Sequence, residues 1–432
     1  MSKATRWSSP EMGARLRRRR AAERRFRRLG LGAVALALSA LVVLLGSIAW
    51  NGASAFVRTQ IALDVDFDPA AVGALGAGSA AERAAQEGEV DWSVLVRGAL
   101  EREFPGVSGR SERRALLGLV SRGARGILRE RLLRDPGLVG RRERIWVPAA
   151  PDVDALVKGQ IPRDPEASGR LSEQELGWIR GLEERGLVRR VFDWSFLRSG
   201  DSREPELAGV GGAVVGSLLA LLVTLAVAFP LGVAAAVYLE EFAPRTRATE
   251  ILELNINNLA AVPSIVFGLL GLAVFLNTFG LPRSAPLVGG LTLALMTLPT
   301  IIIAGRAAIL AVPPSIREAA RGLGASPLQV VAHHVLPLAL PGILTGAILG
   351  MARALGETAP LLMIGMVAFV VDVPRSFTDA ATALPVQIYL WADSPERAFV
   401  EKVSGAILVL LGFLVVMNGT AIWLRQRFQR RW

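Results

Sequence analysis

The chain has 432 residues, 52% of them apolar, with a mean hydropathy of +0.41 and a formal charge of +11. It has no cysteine, which excludes disulfides, thiolate metal sites and cysteine nucleophiles, and its only histidines, His333 and His334, exclude a histidine-rich metal centre. Lys3, Lys158 and Lys402 are its three lysines and none follows a Gly-x-x-x-x-Gly pattern, so no P-loop is present and any energy must come from an ion gradient or another chain.

Residues 1–28 hold eleven Lys or Arg against Glu11 and Glu23 and are expected to form a disordered basic tail on the cytoplasmic side. Two readings of the tail stay open, a topology signal or an anchor for anionic membrane lipid. Residues 29–50 are uninterrupted apolar sequence, long enough to cross a bilayer as helix and too long for the apolar region of a signal peptide. Five further runs are candidate spans: 209–239, 258–279, 286–312, 335–356 and 404–424. Arg306, near one end of its run, is placed to reach headgroups. The run 359–371 is only thirteen residues, about 20 Å as helix, and reads as a re-entrant or interfacial segment covered by protein. The C-terminal Arg425, Arg427, Arg430 and Arg431 again adjoin an apolar run. A basic excess confined to two ends that flank apolar runs follows the positive-inside rule and puts both termini in the cytoplasm, with six spans; it does not describe a nucleic-acid-binding face. Trp50, Tyr389, Trp391 and Trp423 fall where interfacial belt residues are expected.

Between the first two spans lies an insert, residues 51–208, with 24 basic and 25 acidic side chains. It is the size of one ordinary domain and is expected outside the cytoplasm. The spacing of Leu116, Leu117, Val120, Ile127, Leu128 and Leu132 predicts a helix over 111–134. Ser172-Glu173-Gln174-Glu175 has the form of a capping box opening a second helix through Val191, and 145–157 is a candidate strand pair. No catalytic constellation is evident there, which leaves a structural, docking or ligand-sensing role. The whole is an all-α integral membrane protein of about six spans with a mostly helical insert.

Two segments carry chemistry. Loop 313–334 opens Pro313-Pro314-Ser315-Ile316-Arg317; two prolines end one helix, Ser315 is placed to cap the next, Glu318 falls in its first turn, where a negative charge suits the helix dipole, and Gly322 and Gly324 allow it to stop. Such a helix suits a groove on a soluble partner, or is an ordinary connector. Arg353 lies roughly 18 Å along the run counted from Pro341, near mid-bilayer, where an arginine must face protein or water. Glu357, four residues on, is expected to share its helix face. The pair is either a fixed cation on an anion path, with Glu357 tempering its grip, or a structural ion pair.

Glu318-Ala319-Ala320, then Gly324, then Leu336-Pro337 resembles the coupling loop of ABC-transporter permeases, with His334 where the pattern has isoleucine. Ala352-Arg353-Ala354-Leu355-Gly356-Glu357-Thr358-Ala359-Pro360, Val237-Tyr238-Leu239-Glu240-Glu241-Phe242-Ala243-Pro244, Pro263-Ser264-Ile265-Val266-Phe267-Gly268-Leu269 and Leu384-Pro385-Val386-Gln387-Ile388 are similar to the phosphate-uptake permeases of the PstA type. The likeness covers residues 209–432. It implies a type I ABC importer permease core that hydrolyses nothing and binds no cofactor itself, ATP and magnesium belonging to the ATPase. It implies as partners a second permease (PstC type), two copies of an ATPase subunit (PstB type) and an extracytoplasmic phosphate-binding protein (PstS type), all at the inner membrane. Glu318, Ala319, Ala320 and Gly324 would then couple to the ATPase, and Arg353, Glu357 and Thr358 would line the substrate pathway. A permease for sulfate or molybdate, and a membrane sensor built on the insert, are the alternatives. No cytoplasmic segment exceeds about thirty residues, which argues against the sensor.

Overall fold

A computed structural model describes residues 10–72 and 91–428, as two units, 1–51 and 52–432. The first consists of α1 (Pro10–Ala53), a single helix that includes both the arginine-rich segment and the first apolar run. The tail is therefore helical from Pro10, not disordered, as expected of a stretch rich in Arg, Ala, Leu and Glu, all good helix formers; residues 1–9 lie outside the described residues. Its apolar part is long enough to cross a membrane and is exposed throughout, Trp50 at 85%.

In the second unit the insert comes first. Its elements are β1 (Val57–Asp66), α2 (Trp92–Glu103), α3 (Arg110–Leu117), α4 (Ala124–Arg134), β2 (Arg142–Pro148), α5 (Pro151–Val157), α6 (Glu173–Glu184), β3 (Val188–Phe192) and α7 (Trp194–Arg198). Helices predominate, but they are organised on a three-stranded antiparallel sheet in the order β2-β1-β3. Leu63 pairs with Ile145, and Ile61 with both Val147 and Val188. The strand pair read over 145–157 is thus one strand and one helix, and the strand's partner is β1. The helix read over 111–134 is broken in two at 118–123, where Val120 leaves the helix and bridges Ala149. The capping box forms as read: the Glu175 amide donates to the Ser172 hydroxyl at 3.3 Å and the Ser172 amide to the Glu175 carboxylate at 2.7 Å. That helix stops at Glu184 rather than Val191, because Gly186 takes φ +69° and turns the chain into β3. Ile61, Leu63, Phe67, Leu100, Leu116, Leu128 and Ile179 fill the core.

The remainder is the helical bundle: α8 (Gly211–Val237), α9 (Arg247–Ala260), α10 (Ser264–Gly271), α11 (Pro286–Leu310), α12 (Pro314–Gly322), α13 (Leu336–Gly356), α14 (Ala359–Met363), α15 (Leu384–Ala392) and α16 (Ala398–Phe428). Among the described residues five helices, α1 included, are long and apolar enough to cross a membrane, and a bent pair, Arg247–Ala260 and Ser264–Thr278, at 101°, makes six when it is counted as one span. The span read over 258–279 therefore begins only after Pro263, which lacks the amide a continuing helix needs. α8, α11 and α13 pack together, and α16 lies against α13. Small residues permit the closest approaches: a Cβ on Gly290 would lie 2.5 Å from the Ala220 carbonyl oxygen. Segment 359–371 forms no span; α14 is five residues long, and Leu361, Ile364 and Met366 are buried by protein. Trp391 is also buried, at 4%, and its indole N–H donates to Asp201 at 2.9 Å, so it is a core residue and not a belt residue; Tyr389 and Trp423 are more than half exposed.

The insert sits on one end of the bundle. There Glu206, buried beside Leu207, accepts a hydrogen bond from Ser121, while its other carboxylate oxygen lacks a partner. Burial pushes its pKa above the ordinary glutamate value. A raised carboxyl pKa gives stability that is complete below the unfolded-state pKa and is lost as pH climbs through the folded-state one. Glu206→Gln should therefore raise the melting temperature at pH 7 relative to the parent, and the gain should vanish toward pH 4; thermal melts across that range in detergent check it.

Candidate functional site

α11 ends at Leu310, and α12 restarts the chain with Pro313 at the N-cap and Pro314 in the first turn, where a missing amide costs nothing. Ser315 is consequently inside α12 and does not cap it, and Glu318 falls in mid-helix and not in the first turn. The helix closes on Gly324 at φ +86°, a conformation that favours glycine, whose amide donates to the Arg321 carbonyl at 2.9 Å. Ser326 and Gln329 then form a capping box, and a π-helical turn, Val331–Val335, leads into α13. Of the paired alanines, Ala320 is 5% exposed and packs on Ala236, Ile309, Val312 and Val335, so it seats α12 on its own chain. Glu318, Ala319 and Gly324 face outward, beside Leu323 at 91% exposure. A cavity of 880 Å³ adjoins this face, lined among others by Ile316, Ala319, Leu323, His333 and His334. The histidine that departs from the coupling-loop pattern thus lies beside the outward alanine.

The loop is held by charges. At the end of α8 a π-helical turn, Tyr238–Phe242, presents Glu240 and Glu241. Glu241 pairs with Arg317 of α12 at 2.7 Å, and the same guanidinium donates to the carbonyls of Val312 at 2.6 Å and Ile309 at 2.9 Å, satisfying the open end of α11. Arg306 pairs with Glu240 at 2.5 Å and Glu253 at 2.9 Å and is mostly buried, so it ties α8, α9 and α11 together and does not reach for headgroups. Sequence reading gave Arg306 a different role and left the pairing of the other four unread. The available signal was opposite charge clustered at the neighbouring ends of successive apolar runs.

Arg353 stands in the last turn of α13, and the helix ends at Gly356. Glu357 is already extended, with ψ 122°, so the two do not share a helix face by continuation. They still meet: Arg353 Nε lies 3.3 Å from Glu357 Oε1. Arg353 is half exposed, at 51%, and Glu357 is 20% exposed. Thr358 begins α14 with its carbonyl accepting from the Leu362 amide, its side chain capping nothing. α14 packs against α10, where a Cβ on Gly268 would come within 2.7 Å of Pro360 Cα. The three residues therefore occupy a helix break, with a half-exposed cation at its edge. The two groups of predicted residues are not brought together. Glu318, Ala319, Ala320 and Gly324 precede α13, and Arg353, Glu357 and Thr358 follow at its far end.

Residues 228–432 match the family described as binding-protein-dependent transport system inner membrane component, and residues 13–167 match a domain of unknown function, DUF3333. A phosphate transport system permease protein PstA 1 of Mycobacterium tuberculosis is 34% identical over 244 residues, covering 56% of this chain and 79% of that protein. PstA of Mycobacterium leprae is 35% identical over 234 residues, covering 54% of this chain and 75% of that one. Among solved structures, the inward-facing MetNI methionine ABC transporter aligns over 55% of this chain and 97% of that chain, at a TM-score of 0.41 and 18% identity.

Removing one partner of a buried ion pair costs about 3–5 kcal/mol because the other charge is left bare. Glu241→Ala should therefore destabilise the assembled protein and free α12, and the double change Glu241→Ala with Arg317→Leu should restore much of the melting temperature. Melts of both variants in detergent check this; equal melting temperatures for single variant and parent would show that the pair does not hold the loop.

Proposed function

Because this chain belongs to the family of binding-protein-dependent inner-membrane permeases that includes the PstA phosphate permeases, we propose that it is the PstA-type half of an ATP-driven importer of inorganic phosphate. It is a multi-pass inner-membrane protein and not itself an enzyme. Permeases of this family work with a second permease, an ATPase and a binding protein; for this chain we assign PstC-, PstB- and PstS-type subunits. The basic ends set both termini in the cytoplasm. Six crossings then put α12 and its neighbours on the cytoplasmic side and the insert on the outer side.

The observation that carries the reading is the open guanidinium at the break between α13 and α14. A divalent oxyanion crossing an apolar bundle needs a cation with matching geometry, and arginine offers a planar fork to phosphate. The Glu357 carboxylate competes for that fork at 3.3 Å, which keeps the anion from being retained. Leaving Arg353 half exposed suits a pathway that forms between this chain and a second permease. The outward face of Glu318, Ala319 and Gly324, with Leu323, suits docking on the ATPase, and the buried Ala320 and Arg317 make that helix move with the bundle.

Uptake of radiolabelled phosphate by proteoliposomes of the tagged complex, with sulfate as competitor, tests the substrate; inhibition by sulfate at equal concentration would favour the sulfate reading. Arg353→Ala should lower phosphate uptake about tenfold or more, the scale of a lost charge-assisted hydrogen bond. A half-exposed ion pair contributes only about 0–1 kcal/mol to stability, so assembly should stay normal. Adding Glu357→Ala should not restore uptake; recovery to the parent rate would leave the pair a structural role only.

A further inference from the structure

The insert does not hang on a flexible tether. Two consecutive residues of α16 are each claimed by it. Glu401 pairs with Lys158 at 2.8 Å and accepts from Gln160 at 3.0 Å, and Lys402 pairs with the wholly buried Asp193 at 3.4 Å. One apolar cluster joins Ala55 and Phe196 of the insert to Val210, Leu384, Trp391 and Phe399 of the bundle.

A third tie reaches the pathway. The chain leaving Thr358 runs through α14 to Val370 and Val371, and there it meets the last residues of the insert. The Asp201 amide donates to the Val370 carbonyl at 2.9 Å, while the Asp201 carboxylate accepts the Trp391 indole N–H at 2.9 Å. Gly200 lies so close that a Cβ there would stand 2.0 Å from the Val371 carbonyl oxygen, a clash with backbone that no side chain can relieve. On its other side the same short segment is fixed to the start of α8: the Gly209 amide donates to the Gly200 carbonyl, and the Gly211 amide to that of Ser199, both at 2.9 Å. Farther back, Gly365 and Met366 are held by Ser284 and Thr382, so the segment from Thr358 to Val371 has fixed points along its length. The joint also borders a groove of 1280 Å³ between the insert and the loop 369–380.

We propose that Gly200, Asp201 and Trp391 are positioning residues for transport: through them the insert sets the segment 364–371 that follows Arg353, Glu357 and Thr358, and so forms part of the outer gate. They touch no substrate and act through that segment. The proposal rests on the permease reading above and assigns the insert a working place in the transport cycle, where its balanced charge and lack of a reactive cluster suggested an accessory.

The test uses the native complex purified through a tag on this chain and reconstituted in proteoliposomes, with phosphate uptake and ATP hydrolysis measured together. Gly200→Ala should lower uptake several-fold, on the order of the loss of a backbone hydrogen bond, with hydrolysis retained, so that more ATP is spent per phosphate. Trp391→Phe keeps an aromatic ring in the cluster but removes the N–H together with part of the indole, and should move the same ratio in the same direction. A merely structural role would lower the yield of assembled complex and leave the ratio alone. Unchanged ratios in both variants overturn the proposal. If Gly200→Ala does not assemble, Trp391→Phe decides alone. If the parent takes up no phosphate, the substrate reading fails, and the binding-protein-stimulated hydrolysis of the two variants against the parent still decides this one.

Discussion

Asp193 has no exposed surface, and its carboxylate faces two cations, Arg58 at 3.5 Å and Lys402 at 3.4 Å, while Ser195 donates to it. A charge removed from water is tolerated only with partners in place, and the partners here come from three parts of the chain: β1, the start of α7 and the last span. Such a cluster need not add net stability. What it does is forbid other arrangements, because any slip of the insert along α16 would strand at least one buried charge. The Phe196 ring beneath the Lys402 ammonium, at 4.7 Å, reinforces the same register.

The opposite end of the bundle uses the same device for a different purpose. Glu240, Glu241, Glu253, Arg306 and Arg317 are matched across four helices, and Arg317 in addition closes the open carbonyls of α11. That makes α12 an attached part of the bundle, even though its outer face is exposed. Between these two fixed ends the pair Arg353–Glu357 is the contrast. It is half exposed on the arginine side, where the pairs at both ends are buried, so it constrains little and is free to exchange partners. Rigid pairs at the ends and a loose pair at the helix break are what a permease needs if movement at one face is to reach the other.

The family was legible because its motifs are local. Gly324 turns a chain wherever φ must be positive, paired prolines end helices in any context, and an arginine isolated in an apolar run has few explanations. The capping box at Ser172 was readable for the same reason. The strand β1 also left a trace, with Ile61, Leu63 and Val65 alternating with Asp64 and Asp66, but it lies directly after a span and pairs with residues far along the chain, Asp66 with Arg142 and Gln60 with Pro148. Alternation over so few positions does not outweigh the surrounding helical pattern.

By itself the sequence determined the placement of most of the apolar runs, the basic excess at the two ends, and the motifs shared with the permease family. These follow from composition and from interactions within a few residues. Only the tertiary structure decided that Ala320 faces inward and Ala319 outward, that the helices on either side of Pro263 meet at 101°, that Trp391 is core, and that the insert meets the bundle at Gly200 and Lys402. Each of these depends on which distant surface covers a residue, and burial of charge and close backbone contact are properties of pairs of segments that neither segment's sequence carries alone.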